Sequence, residues 1–242
     1  AVQISRHLLL TAAHCVEPNA AFVNDHVALA EDISELKVTT LARDSRLEYY
    51  GRLIESEAEQ IVVQHVVYAN LEMDFAILKA EENLSAEILD LTELSTLNDG
   101  ALGVKLYGYP NGVPLSVADQ CDGRVSKVTG LLMHTCDAFN GSSGGLIVDK
   151  NSLKPISLHI AGPLLNASGY YREHNQFESA KSIASGAGCD SYDGAFEDCL
   201  FENAINRSVP LKSIVDALKK NAPIVWDCLI KEKNSSCDLN SC

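Results

Sequence analysis

The chain has 242 residues, 46% of them hydrophobic and 21% charged, a balance that supports a real core and excludes an intrinsically disordered chain. Its 19 basic against 33 acidic residues leave a formal charge of −14, which argues against nucleic acid or an anionic membrane surface as a partner. No apolar run approaches the ~20 residues of a membrane span, and no signal peptide is present, so the chain reads as mature, trimmed or incomplete.

In chain order, the first frame is Thr11-Ala12-Ala13-His14-Cys15. Short strand-like runs follow at Leu36–Leu41, Ile61–Val67 and Phe75–Leu78, the last led by an acidic residue in Met73-Asp74-Phe75. A polar, turn-rich stretch near Ser95–Gly100 separates these from a second series. Leu102–Leu106 has apolar residues at every second position, and Gly123–Val128 and Leu131–Met133 continue the pattern. Beyond the glycine-rich Gly141-Ser142-Ser143-Gly144-Gly145 lie Leu146–Val148 and Ile156–Ile160. Many short strands with few helical signals predict an antiparallel sandwich or a pair of barrels. Residues 166–202 read as an inserted surface loop before a closing strand near Ala204–Ser208. One helix is well signalled: Ser208 caps, Pro210 suits the first turn, and Leu211, Ile214, Val215 and Leu218 share one face. Lys219 and Lys220 suit its C-terminal pole, and Pro223 stops it.

His14, Asp74 and Ser143 are the parts of a hydroxyl nucleophile activated by an oriented imidazole. Ser143 would attack, His14 would act as general base and acid, and Asp74 would hold the imidazole tautomer. Gly141 permits close backbone approach, so that the Gly141 and Ser143 N–H groups can form an oxyanion hole. Each residue alone has a bland reading in a turn or beside a strand; three frames in this order do not. His7, His26, His65, His134 and His174 lack such frames and read as surface or structural histidines, with no metal cluster in their spacing.

These motifs resemble those of the chymotrypsin-like (trypsin-fold) serine peptidases, from Ala1 to about Leu218. The resemblance implies an all-β protein: two antiparallel six-stranded β-barrels with a C-terminal helix. The barrels would span residues 1–98 and 99–208, with the insertion 166–202 in the second and a helix and cysteine-rich tail over 209–242. It implies a serine endopeptidase acting through an acyl-enzyme, without cofactor, on protein or peptide substrates and open to protein inhibitors. A catalytically silent homologue that binds through the cleft is the rival reading. Where animal digestive members carry an aspartate before the nucleophile, this chain has Ser142, which is closest in style to the bacterial-type, V8-like glutamyl endopeptidase branch. Only thirteen residues precede His14, so a further strand and a partner for Cys15 are expected to be missing from the chain.

Eight cysteines without paired C-x-x-C spacing point to disulfides and a secreted or otherwise extracytoplasmic location. Cys121–Cys136 is the favoured bridge, stapling two strands beneath the pocket, and Cys189–Cys199 is the next. Two residues compete for the substrate pocket, each with a structural alternative: Asp137 as a turn residue bonded to its own loop, and His159 as a satisfied strand histidine. Asp137, six residues before Ser143, matches the pocket base that attracts Arg or Lys in trypsin-like members, whereas His159 matches the histidine that faces an acidic side chain in glutamyl endopeptidases. An aspartate beside that imidazole would neutralise its attraction for a second carboxylate, and a basic preference is the favoured outcome.

Overall fold

The computed structural model describes residues 1–16, 20–23, 26–29, 37–40, 59–81, 84, 88–94, 97, 100–110, 115–127, 129–139, 141–162 and 206–234. Strands β1 (Val2–Gln3), β2 (Leu8–Thr11), β5 (Lys37–Thr40), β6 (Glu59–Asn70) and β7 (Phe75–Ala80) form a sheet in the order β1-β2-β7-β6-β5. A separate antiparallel pair joins β3 (Ala20–Val23) to β4 (His26–Leu29). Every residue of β2 and β7 is buried. A strand covered on both faces has no use for alternation, which is why these two read as continuous apolar runs. Tyr68 and Phe75, with ring centroids 5.7 Å apart, close the turn between β6 and β7.

The second unit is a closed six-stranded barrel in the order β10-β13-β12-β11-β8-β9. Its strands are β8 (Leu102–Gly108), β9 (Ser116–Val125), β10 (Leu132–His134), β11 (Leu146–Asp149), β12 (Pro155–Ala161) and β13 (Asn206–Pro210). Val104, Leu106, Cys121, Leu132, Cys136, Ile147 and Ile156 pack into one buried cluster. The expected bridge Cys121–Cys136 lies within it, joining Cα atoms 4.7 Å apart. β9 begins well before the expected Gly123 because its first half alternates partly and fully exposed residues, leaving little apolar signal.

The expected mostly β architecture of two units is therefore present, with one correction at its end. Ser208 does not cap a helix. It lies inside β13, fully buried, where its hydroxyl accepts from Ser157 Oγ at 2.6 Å and donates to Leu132 O at 2.9 Å. The helix α1 (Leu211–Asn221) starts directly from Pro210 and buries the expected Leu211, Ile214, Val215 and Leu218. Pro223 ends it and also opens a second helix, α2 (Pro223–Asn234), since proline lacks only an N–H that a first turn leaves unpaired anyway. Lys219 Nζ lies 4.8 Å from the centroid of the Trp226 ring on α2.

One core cluster joins everything: Ile4, Leu8, Leu10, Phe75 and Ile77 of the sheet pack with Leu158, Ile160 and Val209 of the barrel and with the buried face of α1. Cys15 is a free thiol, and Cys228 is disulfide-bonded. The expected Cys189–Cys199 bridge and all of the 166–202 insertion lie outside the described residues, as does the cysteine-rich tail beyond Asn234. Among the described residues, no helix is long and apolar enough to cross a membrane.

Candidate active site

His14 and Asp74 are 60 residues apart in sequence and meet because β2 and β7 are antiparallel neighbours, with Thr11 opposite Ala76. His14 sits in a 3-10 turn (Ala13–Cys15) just past β2, and Asp74 immediately precedes β7. One carboxylate oxygen of Asp74, Oδ2, lies 2.7 Å from His14 Nδ1, and the other, Oδ1, accepts the His14 backbone N–H at 2.9 Å. An ionised carboxylate only accepts, so Nδ1 carries the proton and Nε2 presents its lone pair. The two side chains are 42% and 24% exposed, open enough for substrate to reach the imidazole.

Asp74 itself is held in the left-handed region, at φ 56°. Such a conformation costs about 1–3 kcal/mol and persists only where neighbours over-determine it. Here Asp74 N–H donates to Leu71 O and Met73 N–H to the Asn70 side chain, at 3.3 and 2.9 Å. The tight turn aims the carboxylate back across the sheet at His14.

The Ser143 loop is wired from within and from β12. Ser142 is buried, its N–H donates to Phe139 O at 2.9 Å, and its Oγ accepts from Phe139 N–H at 3.1 Å. Gly144 N–H donates to His159 O and His159 N–H donates to Gly145 O, each at 2.8 Å. Gly141 has φ 90°, which turns the chain so that neither its N–H nor that of Ser143 has an acceptor among the described residues. Two free donors on one tight loop are what an oxyanion hole needs. Gly144, at φ 78°, presses against β2: a Cβ there would stand 2.5 Å from Thr11 Oγ1 and 3.4 Å from Ala12 N. The Ser143 loop is thus seated against the strand that leads into His14. The Ser143 hydroxyl in this structure donates to Ile160 O at 3.3 Å, not to His14.

The two pocket candidates have different surroundings. Asp137 is exposed and makes no hydrogen bond among the described residues. His159 is only 2% exposed, and its Nδ1 lies 3.0 Å from Nε2 of the fully buried His134. Burial, aided by the positive fields of His14 and Arg207, pushes His159 down to about 4. Burial and the neighbouring His159 hold His134 well below the usual histidine range. Both imidazoles are therefore neutral at neutral pH, and one donates to the other. The pairing of His134 with His159 was not legible in the sequence, because β13 stands between their strands. Asn206 and Arg207 on β13 were also missed: Asn206 Nδ2 donates to Cys136 O at 2.6 Å, and the Arg207 side chain is half-buried. Among the described residues no group of histidine, cysteine and carboxylate side chains could hold a metal ion.

A family model described as trypsin-like peptidase domain matches residues 1–154. No curated protein matches the chain. Among solved structures, the chain is similar to the apo MamO protease domain from Magnetospirillum magneticum, with a TM-score of 0.51 and 13% identity over 90% of this chain and 86% of that one. It is also similar to the serine endoprotease from Yersinia pestis, with a TM-score of 0.47 and 13% identity over 91% of this chain but only 55% of that one. At such identities the likeness concerns the fold alone.

Two outcomes follow from this geometry. Gly144→Ala should remove most reactivity of Ser143 towards a serine-directed reagent, because the new methyl displaces the loop from Thr11; labelling at the wild-type rate would show that the contact is dispensable. The second concerns acid. Unfolded histidine titrates near 6.5 and folded His159 at about 4, so between these values the unfolded chain binds more protons. The stability from the neutral pair is complete above about pH 6.5 and is lost as pH falls towards 4, on the order of 2–3 kcal/mol. Urea midpoints measured from pH 7 to 4.5 should fall accordingly, and His159→Gln should flatten the slope between pH 6.5 and 5.

Proposed function

The chain belongs to the trypsin-like peptidase domain family, and from that premise we propose that it is a serine endopeptidase with His14, Asp74 and Ser143 as its triad. The observation that carries this reading is the Asp74 carboxylate, which grips His14 at both Nδ1 and the backbone N–H. That double hold sets the ring orientation and leaves Nε2 as a base. For this reaction the Ser143 hydroxyl has to leave Ile160 O and donate to Nε2. Oγ then attacks the scissile carbonyl carbon while its proton passes to Nε2, and the carbonyl oxygen becomes an oxyanion facing the Gly141 and Ser143 N–H groups. Each such donor is typically worth about 3–4 kcal/mol of barrier. On collapse, Nε2 returns the proton to the leaving amine, and an acyl-Ser143 ester remains. Water, deprotonated by the same nitrogen, releases the new carboxylate and restores Ser143.

The buried Ser142 stands where a charged switch residue would need an ammonium partner; its own bonds to Phe139 hold the loop instead. This supports an enzyme that is assembled without a freshly cut N-terminus, in the style of the V8-like branch. The pocket preference follows from charge. His159 is neutral and faces His134, so it offers no cation to an acidic side chain, whereas Asp137 offers an exposed carboxylate just ahead of the nucleophile loop. Cleavage after Arg or Lys is the expected specificity. Protein or peptide substrates follow from the family, and the Cys121–Cys136 bridge supports an extracytoplasmic site of action.

A fluorophosphonate should label Ser143 alone. Labelling should vanish in Ser143→Ala and fall by several orders of magnitude in His14→Ala. A folded protein that never labels would leave a silent, cleft-binding homologue as the function. A peptide-library digest tests the pocket: Asp137→Asn should remove most of a preference for Arg or Lys, and cleavage mainly after small or apolar residues would return Asp137 to a loop role.

A further inference from the structure

The Ser143 loop hangs on one short stretch of β12. Ser143 Oγ donates to Ile160 O at 3.3 Å, Gly144 N–H donates to His159 O at 2.8 Å, and Gly145 O accepts His159 N–H at 2.8 Å. Yet that stretch is where β12 is least held by its neighbouring strands. The paired residues of β11 and β12 end at Leu146 and Leu158, one residue short of His159. The register with β13 shifts between His159 and Ala161, with no residue opposite Ile160, and at such a bulge the ladder is locally disrupted.

What fixes His159 there is its ring. Residues directly opposite in adjoining strands share a face. His134 stands opposite Asn206, and His159 opposite Ser208, two residues further along β13. Both imidazoles therefore lie on the same side of β13 and meet across it, His134 Nε2 3.0 Å from His159 Nδ1 and the ring centroids 5.1 Å apart. Both rings are buried, so bulk water does not compete for this bond.

We propose that His134 is a positioning residue for the reaction: its ring holds the ring of His159, and His159 in turn holds the Gly144–Gly145 main chain behind Ser143. This rests on the assignment of Ser143 above. The hold has an acid release built into it. A proton added to either ring puts a cation in the barrel interior, where no carboxylate among the described residues hydrogen-bonds it. Burial and the positive fields of His14 and Arg207 keep His159 at about 4 in the closed form, against 6.5 for a solvated ring. The closed form thus binds fewer protons than an opened one, and its advantage, complete above about pH 6.5, is lost as pH falls towards 4. Around the pair, β9 carries the exposed Asp122 and the partly buried Arg124 on either side of Gly123, which faces His134 in the register. Lys212 and Asp216 of α1, which packs against β12, pair with each other at the surface, and Asp149 at the end of β11 is held by Asn151 and Ser152.

The test is amide hydrogen exchange in the whole chain at low urea, each rate scaled to that of an unstructured peptide at the same pH. Exchange of Gly144 and His159 N–H should be insensitive to urea, the mark of local opening. In the unaltered protein it should speed up roughly twentyfold between pH 7 and pH 5. At pH 7, His134→Leu should speed it about tenfold by removing the bond, and fluorophosphonate labelling of Ser143 should slow with it. His134→Gln, whose side-chain amide can donate to His159 Nδ1, should recover most of the protection. A ring that merely filled space would give the reverse order, with leucine the better substitute, and would overturn the proposal. So would exchange of these amides only through urea-sensitive global unfolding, or local exchange with no dependence on pH in this range. Should His134→Leu fail to fold, the pH series on the unaltered protein decides alone. A protein that shows these exchange changes while Ser143 never labels would keep the hold of His134 on the loop and lose the peptidase reading.

Discussion

The pairing of β2 with β7 is the constraint from which the site is built. Antiparallel strands in register fix which ends are neighbours, and here the end of β2 and the beginning of β7 bring His14 to Asp74. Both strands are wholly buried, so neither can slip by one residue without turning its apolar side chains against the wrong neighbours. The geometry of a polar pair open to solvent is thereby held by apolar packing that never meets water. The positive φ of Asp74 belongs to the same arrangement: the strain is borne by a turn whose two arms cannot separate.

The barrel contributes in a different currency. Its interior carries polar side chains: Ser157, Ser208, Asn206, His134 and His159 are all buried, and each finds a partner across the strands. A hydrogen-bonded polar strip of this kind specifies register more strictly than an apolar one, because a shift strands several groups at once; among the described residues one of its atoms, His134 Nδ1, is already without a partner. β12 gains from it directly. The main chain of His159 holds Gly144 and Gly145, so the ring pair inside the barrel and the loop outside it are positioned by one residue.

Much of this was legible in the chain itself. The frames around His14, Asp74 and Ser143 are local, and local frames survive reading one residue after another. The runs at Phe75–Leu78, Leu146–Val148 and Ile156–Ile160 are buried strands that declare themselves by composition. What escaped was whatever depends on register between distant segments. Ser208 has the composition of a helix cap and a helix pattern directly after it, yet strand pairing with β12 and β10 claimed it first. Arg207 and His134 carry no motif, and their meaning appears only when β13 is laid between β10 and β12. The first half of β9 was missed for a simpler reason, its exposure.

The contact between Gly144 and Thr11 has a mechanical consequence. Where two parts of a protein meet through long side chains, rotamers can take up small displacements. Here main chain meets a short hydroxyl and main chain, with no space for even one methyl group. At this point the seam between sheet and barrel therefore works as a hard stop: it can open, but it cannot compress, and the approach of Gly144 to Thr11 has a floor set by van der Waals radii.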